Sequence, residues 1–287
     1  MLFAVSIILV FTLIYLIFYR QFDGFNNNYY KWNNCKTNNQ EKLKKTFENY
    51  GCIIIPNLLS IDDCNKLLKI IKKEEKKTDT QTGNINSNYK RKDLLLSLND
   101  SKEFIKKIYN NIKIFCDDLH PDGKIVENSC LISYPGCYPQ IWHADTKYQF
   151  GKEGNLTSFG IALDDIDESM GPLEVFLESN KIYETDREEI YKKHNIKEHN
   201  LTGDYDDGLK YQENEKMCKS LKFKKEICSC KKGSLIIWSS KIIHRGGANT
   251  GKKRPVFYFS LLGKGKLPYG ATYSLKKREK LQLIKNI

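Results

Sequence analysis

GSLIIWSSKIIHRGGANTGKKRPVFYFSL, residues 233–261, packs three short runs of β-branched and aromatic residues between turns of glycine, asparagine and lysine. Runs of this length and texture are strands, since helices of a globular chain need longer stretches with a 3.6-residue apolar period. The same pattern reaches back to residue 130 through CLISY, QIWHAD, LTSFGIALDDI and LEVFLE, with proline and glycine between them. The second half of the chain is therefore expected to be all-β.

Outward from this region the texture changes. NNQEKLKKTFENYG is a short amphipathic helix stopped by Gly51, and CIIIPNLL is a buried strand. In SIDDCNKLLKIIKKEEKK, Ser60 can cap a helix whose first turn holds Asp62 and Asp63 and whose end accumulates lysine, in keeping with the helix dipole. A further helix is expected over 101–119. The polar stretch 181–231 interrupts the strands and is too hydrophilic for a core segment, so it is expected to be a solvated excursion or a flap over a site.

The first 19 residues carry no charged side chain. As a helix rising about 1.5 Å per residue, they approach the roughly 30 Å of a bilayer core. The organisation expected is a transmembrane anchor at 1–20, an Asn-rich linker at 21–36, a catalytic-sized domain at 37–270 and a basic tail at 271–287. Arg20 and Lys31 behind the span favour a cytoplasmic domain on a single-pass membrane protein.

The 287 residues are 40% hydrophobic and 12% aromatic, enough for a packed core, and the formal charge of +12 comes from scattered lysines. That pattern is a solvated basic surface, with an anionic membrane face as the alternative. No recognition motif for nucleic acid accompanies it. Nine cysteines, spread singly apart from Cys228 and Cys230, fit reduced thiols better than a disulfide framework.

His143 and Asp145 share one side of a strand if QIWHAD is extended, so imidazole and carboxylate can converge on one ion. The spacing alone is weak, because His120 and Asp122 in LHPDG repeat it, in a turn that holds no common face. A third ligand must come from His194 or His199 of the polar excursion, or from His244, which follows a hydrophobic strand and precedes a glycine turn. Two histidines and a carboxylate on one face of an octahedral ion leave three positions open, as non-haem Fe(II) requires; a tetrahedral zinc remains chemically possible. Arg254, ten positions past His244 and expected one hairpin away, offers a planar bidentate match to the far carboxylate of a diacid.

Taken together, YGCIIIPNLLSIDDCNKLLKII, PQIWHAD, ALDDIDESMGPLEVFLESNK and residues 233–261 resemble, in order and spacing, the phytanoyl-CoA dioxygenase family of Fe(II)/2-oxoglutarate oxygenases. The resemblance spans about residues 45–263. It implies a double-stranded β-helix, a cupin-like jelly roll, that is mainly β with flanking helices. By position, His143, Asp145 and His244 would bind iron and Arg254 would anchor 2-oxoglutarate. Tyr134, Gln140 and Trp142 flank the ligand strand, and Tyr134 and Gln140 are further candidates for cosubstrate contact. The implied reaction hydroxylates a C–H bond of a lipid, acyl or other small molecule using O2, with release of succinate and CO2. Asp145 at an iron position leaves no place for chloride, which disfavours halogenation. Two rivals stand beside this reading: a metal-less jelly roll tethered as a scaffold, and a zinc knuckle built from Cys218, Cys228, Cys230 and a histidine of the excursion.

Overall fold

The computed structural model describes residues 40–77, 80–83, 90–146, 154–183, 211–268, 271–277 and 279–287. The expected N-terminal span and linker lie outside these residues, as do His194 and His199. Among the described residues no helix is long and apolar enough to cross a membrane.

Four helices precede or interleave with the first strands. They are α1 (Gln40–Tyr50), α2 (Ile61–Glu75), α3 (Leu98–Asn111) and α4 (Lys113–Leu119). Ser60 caps α2 as expected, its hydroxyl accepting from Asp63 N at 3.1 Å, and Gly51 stops α1 with φ of 75°. The single helix expected over 101–119 is two. Asn111 bonds back to Lys107 O at 2.8 Å, competing with the helical ladder, and Ile112 leaves the helical region with φ −126° and ψ 31°.

The strands are β1 (Cys52–Ile55), β2 (Arg91–Leu95), β3 (Lys124–Ser133), β4 (Leu156–Ala162), β5 (Leu173–Phe176), β6 (Lys225–Ile227), β7 (Leu235–Ser239), β8 (His244–Gly246), β9 (Arg254–Leu262) and β10 (Gln282–Leu283). A seven-stranded antiparallel sheet has the order β1-β7-β4-β9-β3-β10, with β2 also on β3; a second sheet is β6-β5-β8. This is a mainly β architecture of antiparallel sheets with flanking helices, consistent with a jelly roll.

Strand alternation divides the large sheet's two faces. Phe159, Ile161, Phe257, Phe259 and Leu261 point outward, into a core completed by Leu67, Ile71, Phe104 and Ile108 of the helices. Phe159 and Phe259 stack with centroids 5.0 Å apart. The residues between them, Ser158, Val256 and Tyr258 among others, face a cavity shared with the small sheet.

Further expectations need correction. QIWHAD is not a regular strand: it forms one ladder pair, His143 with His244, and a bond from Gln140 N to Gly246 O at 2.8 Å. Three residues advance on one side against two on the other, which is a bulge. Secondly, β8 and β9 are not a hairpin, since β8 pairs with β5 while β9 lies between β3 and β4. The link between them crosses from one sheet to the other, pinned by fully buried Asn249, whose side-chain amide donates to Ser133 O and Lys252 O.

Thirdly, the described end of the polar excursion is integrated into the fold. α5 (Tyr211–Ser220) buries Met217 and Cys218 against Trp142, Phe176 and Ile243, and β6 extends the small sheet. The C-terminal segment, expected as a basic tail, is likewise tied down. β10 pairs with β3, and Lys276 and Lys285 bond Glu74 and Asp122.

Candidate metal centre

β8 and the irregular segment beside it bring three donors together. Asp145 Oδ1 lies 3.7 Å from His143 Nε2 and 3.5 Å from His244 Nε2, and the three ligand atoms fall within 4.8 Å of one another. The ladder pair sets the two imidazoles side by side, with centroids 4.5 Å apart. A bend after the bulge then swings Asp145 between them.

The same local device orients both rings. His143 Nδ1 donates to Ile141 O at 2.7 Å and His244 Nδ1 to Ile242 O at 2.9 Å. A carbonyl can only accept, so each Nδ1 carries the hydrogen and each Nε2 presents its lone pair. Trp238 Nε1 donates to Asp145 Oδ2 at 3.3 Å and fixes the carboxylate.

Burial, with His244 adding to it, pushes the His143 pKa down to about 4 and keeps the ring neutral. Burial pushes Asp145 up, but the two histidines and Trp238 outweigh it and hold the carboxyl below its usual value. For His244 burial opposes a charge, and Asp145 outweighs it and raises the pKa. In an octahedral ion with bonds of about 2.1 Å, neighbouring ligand atoms sit about 3 Å apart. The donor set thus fits a divalent cation after a small closure.

The donors open onto a cavity of about 200 Å³. Arg254 lines it, 3% exposed, with its Nε lacking any hydrogen-bond partner and no carboxylate paired to it among the described residues. Burial, with Arg91 adding, lowers its pKa to about 10. An uncompensated guanidinium facing a cavity fits an anionic ligand.

The remaining sequence candidates separate. Gln140 lines the cavity, but its Oε1 accepts from Gly246 N at 2.8 Å and ties the bulged segment to β8. Tyr134 is not brought to the cavity; its hydroxyl donates to Glu75 at 2.5 Å. Trp142 is 2% exposed and packs on Phe176, with the Arg245 guanidinium 4.5 Å over its ring. The decoy pair points apart, His120 buried at 1% exposure and Asp122 bonded to Lys285 at the surface.

The cysteines of the zinc alternative do not converge among the described residues. Cys218 joins the Trp142 cluster, apart from Cys228 and Cys230, which pack in another cluster with Cys52. Burial raises the Cys230 thiol to about 12.

Sequence reasoning missed Trp238, Asp93, Glu127, Ser158 and Tyr258, all of which line the cavity. A polar residue in phase with other polar residues along an otherwise apolar strand was the available signal, as in Tyr258 of β9, which shares its side with Arg254 and Ser260.

The phytanoyl-CoA dioxygenase (PhyH) family model matches residues 47–256. The chain belongs to the phytanoyl-CoA dioxygenase family. It is a 2-oxoglutarate-dependent non-haem iron oxygenase, with Fe(II) as its metal and 2-oxoglutarate as its cosubstrate. This excludes the metal-less scaffold. No curated protein matches the sequence.

Among solved structures, this PhyH member is similar to the α-ketoglutarate-dependent carbocyclase SnoK of nogalamycin biosynthesis, with TM-score 0.60 and 11% identity over 84% of this chain and 94% of that one. It is also similar to the epimerase SnoN of the same biosynthesis, with TM-score 0.59 and 11% identity over 78% and 83%. A third is HygX from Streptomyces hygroscopicus, solved with nickel and 2-oxoglutarate, with TM-score 0.53 and 10% identity over 88% and 99%. At these identities the likeness is one of fold.

Proposed function

We propose that His143, Asp145 and His244 hold the Fe(II), that Arg254 anchors the far carboxylate of 2-oxoglutarate, and that the enzyme hydroxylates a C–H bond of a small-molecule or lipid substrate. The observation that carries this reading is the shared cavity, with three convergent donors on one wall and a buried, uncompensated guanidinium on the other. When bound, the metal and 2-oxoglutarate would together activate O2 for breaking a C–H bond, one oxygen atom entering succinate, with release of CO2, and the other the hydroxylated product.

The chain's own residues do the positioning. Ile141 and Ile242 carbonyls hold the imidazoles, and Trp238 holds the Asp145 carboxylate. Arg254 sets the direction in which the diacid lies, while Ile166, Leu173 and Val256 line the cavity with apolar surface that keeps water from its chain. A carboxylate at the third protein position favours hydroxylation over halide transfer.

The uncharged first 19 residues support a single-pass tether, and Arg20 and Lys31 behind it favour a cytoplasmic catalytic domain.

The test is 2-oxoglutarate-dependent succinate release by anaerobically purified protein, started with O2, with and without Fe(II). Turnover is expected only with Fe(II) and is expected to vanish in His143→Ala. Wild-type protein that binds no Fe(II) and forms no succinate overturns the proposal.

A further inference from the structure

The residue before each proposed ligand turns the opposite way from it. His143, Asp145 and His244 line the cavity, whereas Trp142, Ala144 and Ile243 are buried together in a second, smaller core behind them. Part of that core comes from the polar excursion, with Ile182 at its start and Met217 and Cys218 on α5 near its end. None of the excursion's described residues lines the cavity. Its described end therefore backs the ligands. Asn214 precedes Met217 by three residues and Cys218 by four, which puts all three on one face of α5, and it is 1% exposed.

Asn214 reaches the peptide that leads into the first ligand. Its Nδ2 donates to Trp142 O at 2.8 Å, and among the described residues no other donor meets that carbonyl. The N–H of the same peptide belongs to His143 and donates to His244 O at 2.9 Å. A trans peptide is planar, with its C=O and N–H pointing in opposite directions, so bonds at both ends fix the plane from which the His143 side chain departs. One end is held by β8 and the other by α5. Packing alone does not account for an amide at this position. Oδ1 of Asn214 is buried with no hydrogen-bond partner among the described residues, a cost that an apolar side chain of similar size avoids.

We propose that Asn214 is a positioning residue for the metal centre, and that through it α5 couples the polar excursion to the ion. The bond to Trp142 O locks the peptide before His143 in the orientation that aims Nε2 at the metal. The inference rests on the oxygenase reading above. Support and binding are reciprocal, so an ion that tightens the ligand segment also tightens α5 against it. Arg254 stands apart from this device, on β9 of the other sheet, and its hold on 2-oxoglutarate does not depend on Asn214.

Two anaerobic measurements on the full chain test it. In the wild type, Fe(II) is expected to slow hydrogen exchange across Tyr211–Ser220 several-fold more than across α2, which packs on the outer face of the large sheet. Calorimetric titration of Asn214→Leu, which keeps the size and removes the donor, is expected to show Fe(II) affinity lower by about tenfold, the low end of the loss for an outer partner. Its KM for 2-oxoglutarate, from succinate release, should stay within about twofold of wild type. Exchange in α5 that responds to Fe(II) no more than α2, wild-type Fe(II) affinity in the folded variant, or loss of metal and cosubstrate affinity together overturns the proposal. The exchange measurement decides alone should Asn214→Leu fail to fold. Wild-type protein that binds no Fe(II) refutes the oxygenase reading and this inference with it, whereas wild-type Fe(II) binding without these effects refutes the role of Asn214 alone.

Discussion

β4 and β9 stay in register through seven consecutive pairs, from Leu156 with Leu262 to Ala162 with Val256. Across the cavity, β8 has three residues, and the segment beside it manages a single ladder pair. The regular sheet carries the hydrophobic core on one face and Arg254 on the other, whereas all three convergent donors come from the irregular side. Three ligand atoms within 4.8 Å of one another do not fall out of an unbroken ladder, whose side chains stand in parallel rows. The bulge at 140–143 and the bend at Asp145 re-aim them, and the stacked core opposite supplies the rigidity.

This division can be broken first at Asp145. Asp145→Ala is expected to lower Fe(II)-dependent succinate release by more than about a thousandfold, since loss of an outer partner alone costs 10–100-fold. Its midpoint of urea unfolding should match wild type, because no core packing is lost. The converse is Phe259→Ala in the regular sheet. It removes a stacked, 1% exposed ring and is expected to cost about 3–5 kcal/mol in urea unfolding. The remaining folded chain should still bind one Fe(II).

Arg254→Ala is expected to raise the KM for 2-oxoglutarate about a hundredfold, with Arg254→Lys recovering part of it, measured as succinate against cosubstrate concentration. Trp238 belongs to the regular sheet but touches the irregular one. Trp238→Phe keeps the ring and loses the bond to Asp145, and should weaken Fe(II) binding about tenfold with little change in stability.

The smallest effect lies far from the site, at Glu74 of α2. Burial raises its pKa, but Lys276 and Lys77 outweigh this and bring it below the ordinary 4.5. The unfolded chain then binds the proton more readily, so the stabilisation is complete above the unfolded value and fades as pH falls through the folded one. Glu74→Gln should flatten the loss of stability below about pH 4.5, followed by urea unfolding at successive pH values.

Much of the regular part was legible in the chain. The Ser60 cap with Asp62 and Asp63, and the apolar runs of β4, β7 and β9, follow from local rules that tertiary structure did not overrule. His143, Asp145, His244 and Arg254 stood out because few histidines lie in β-like runs and one arginine opens the next strand. The irregular part was not legible. GGANTGKK between β8 and β9 reads as a hairpin turn, and only the side-chain bonds of Asn249 send the chain to the other sheet. QIWHAD has strand composition, and nothing local announces its bulge. Glu127, in KIVENSC, looks solvent-facing until the helices claim the opposite face of β3. Trp238, within LIIWSS, looks like core filling, and its indole nitrogen acquires a role only once Asp145 is placed.

The most direct measurement is anaerobic calorimetric titration of Fe(II) into wild type and Asp145→Ala, with circular dichroism to show that both are folded. One ion per chain in the wild type, and none at the same concentrations in the variant, is the expected result. Fe(II) bound with equal affinity by both proteins would contradict the assignment of His143, Asp145 and His244 as the metal centre.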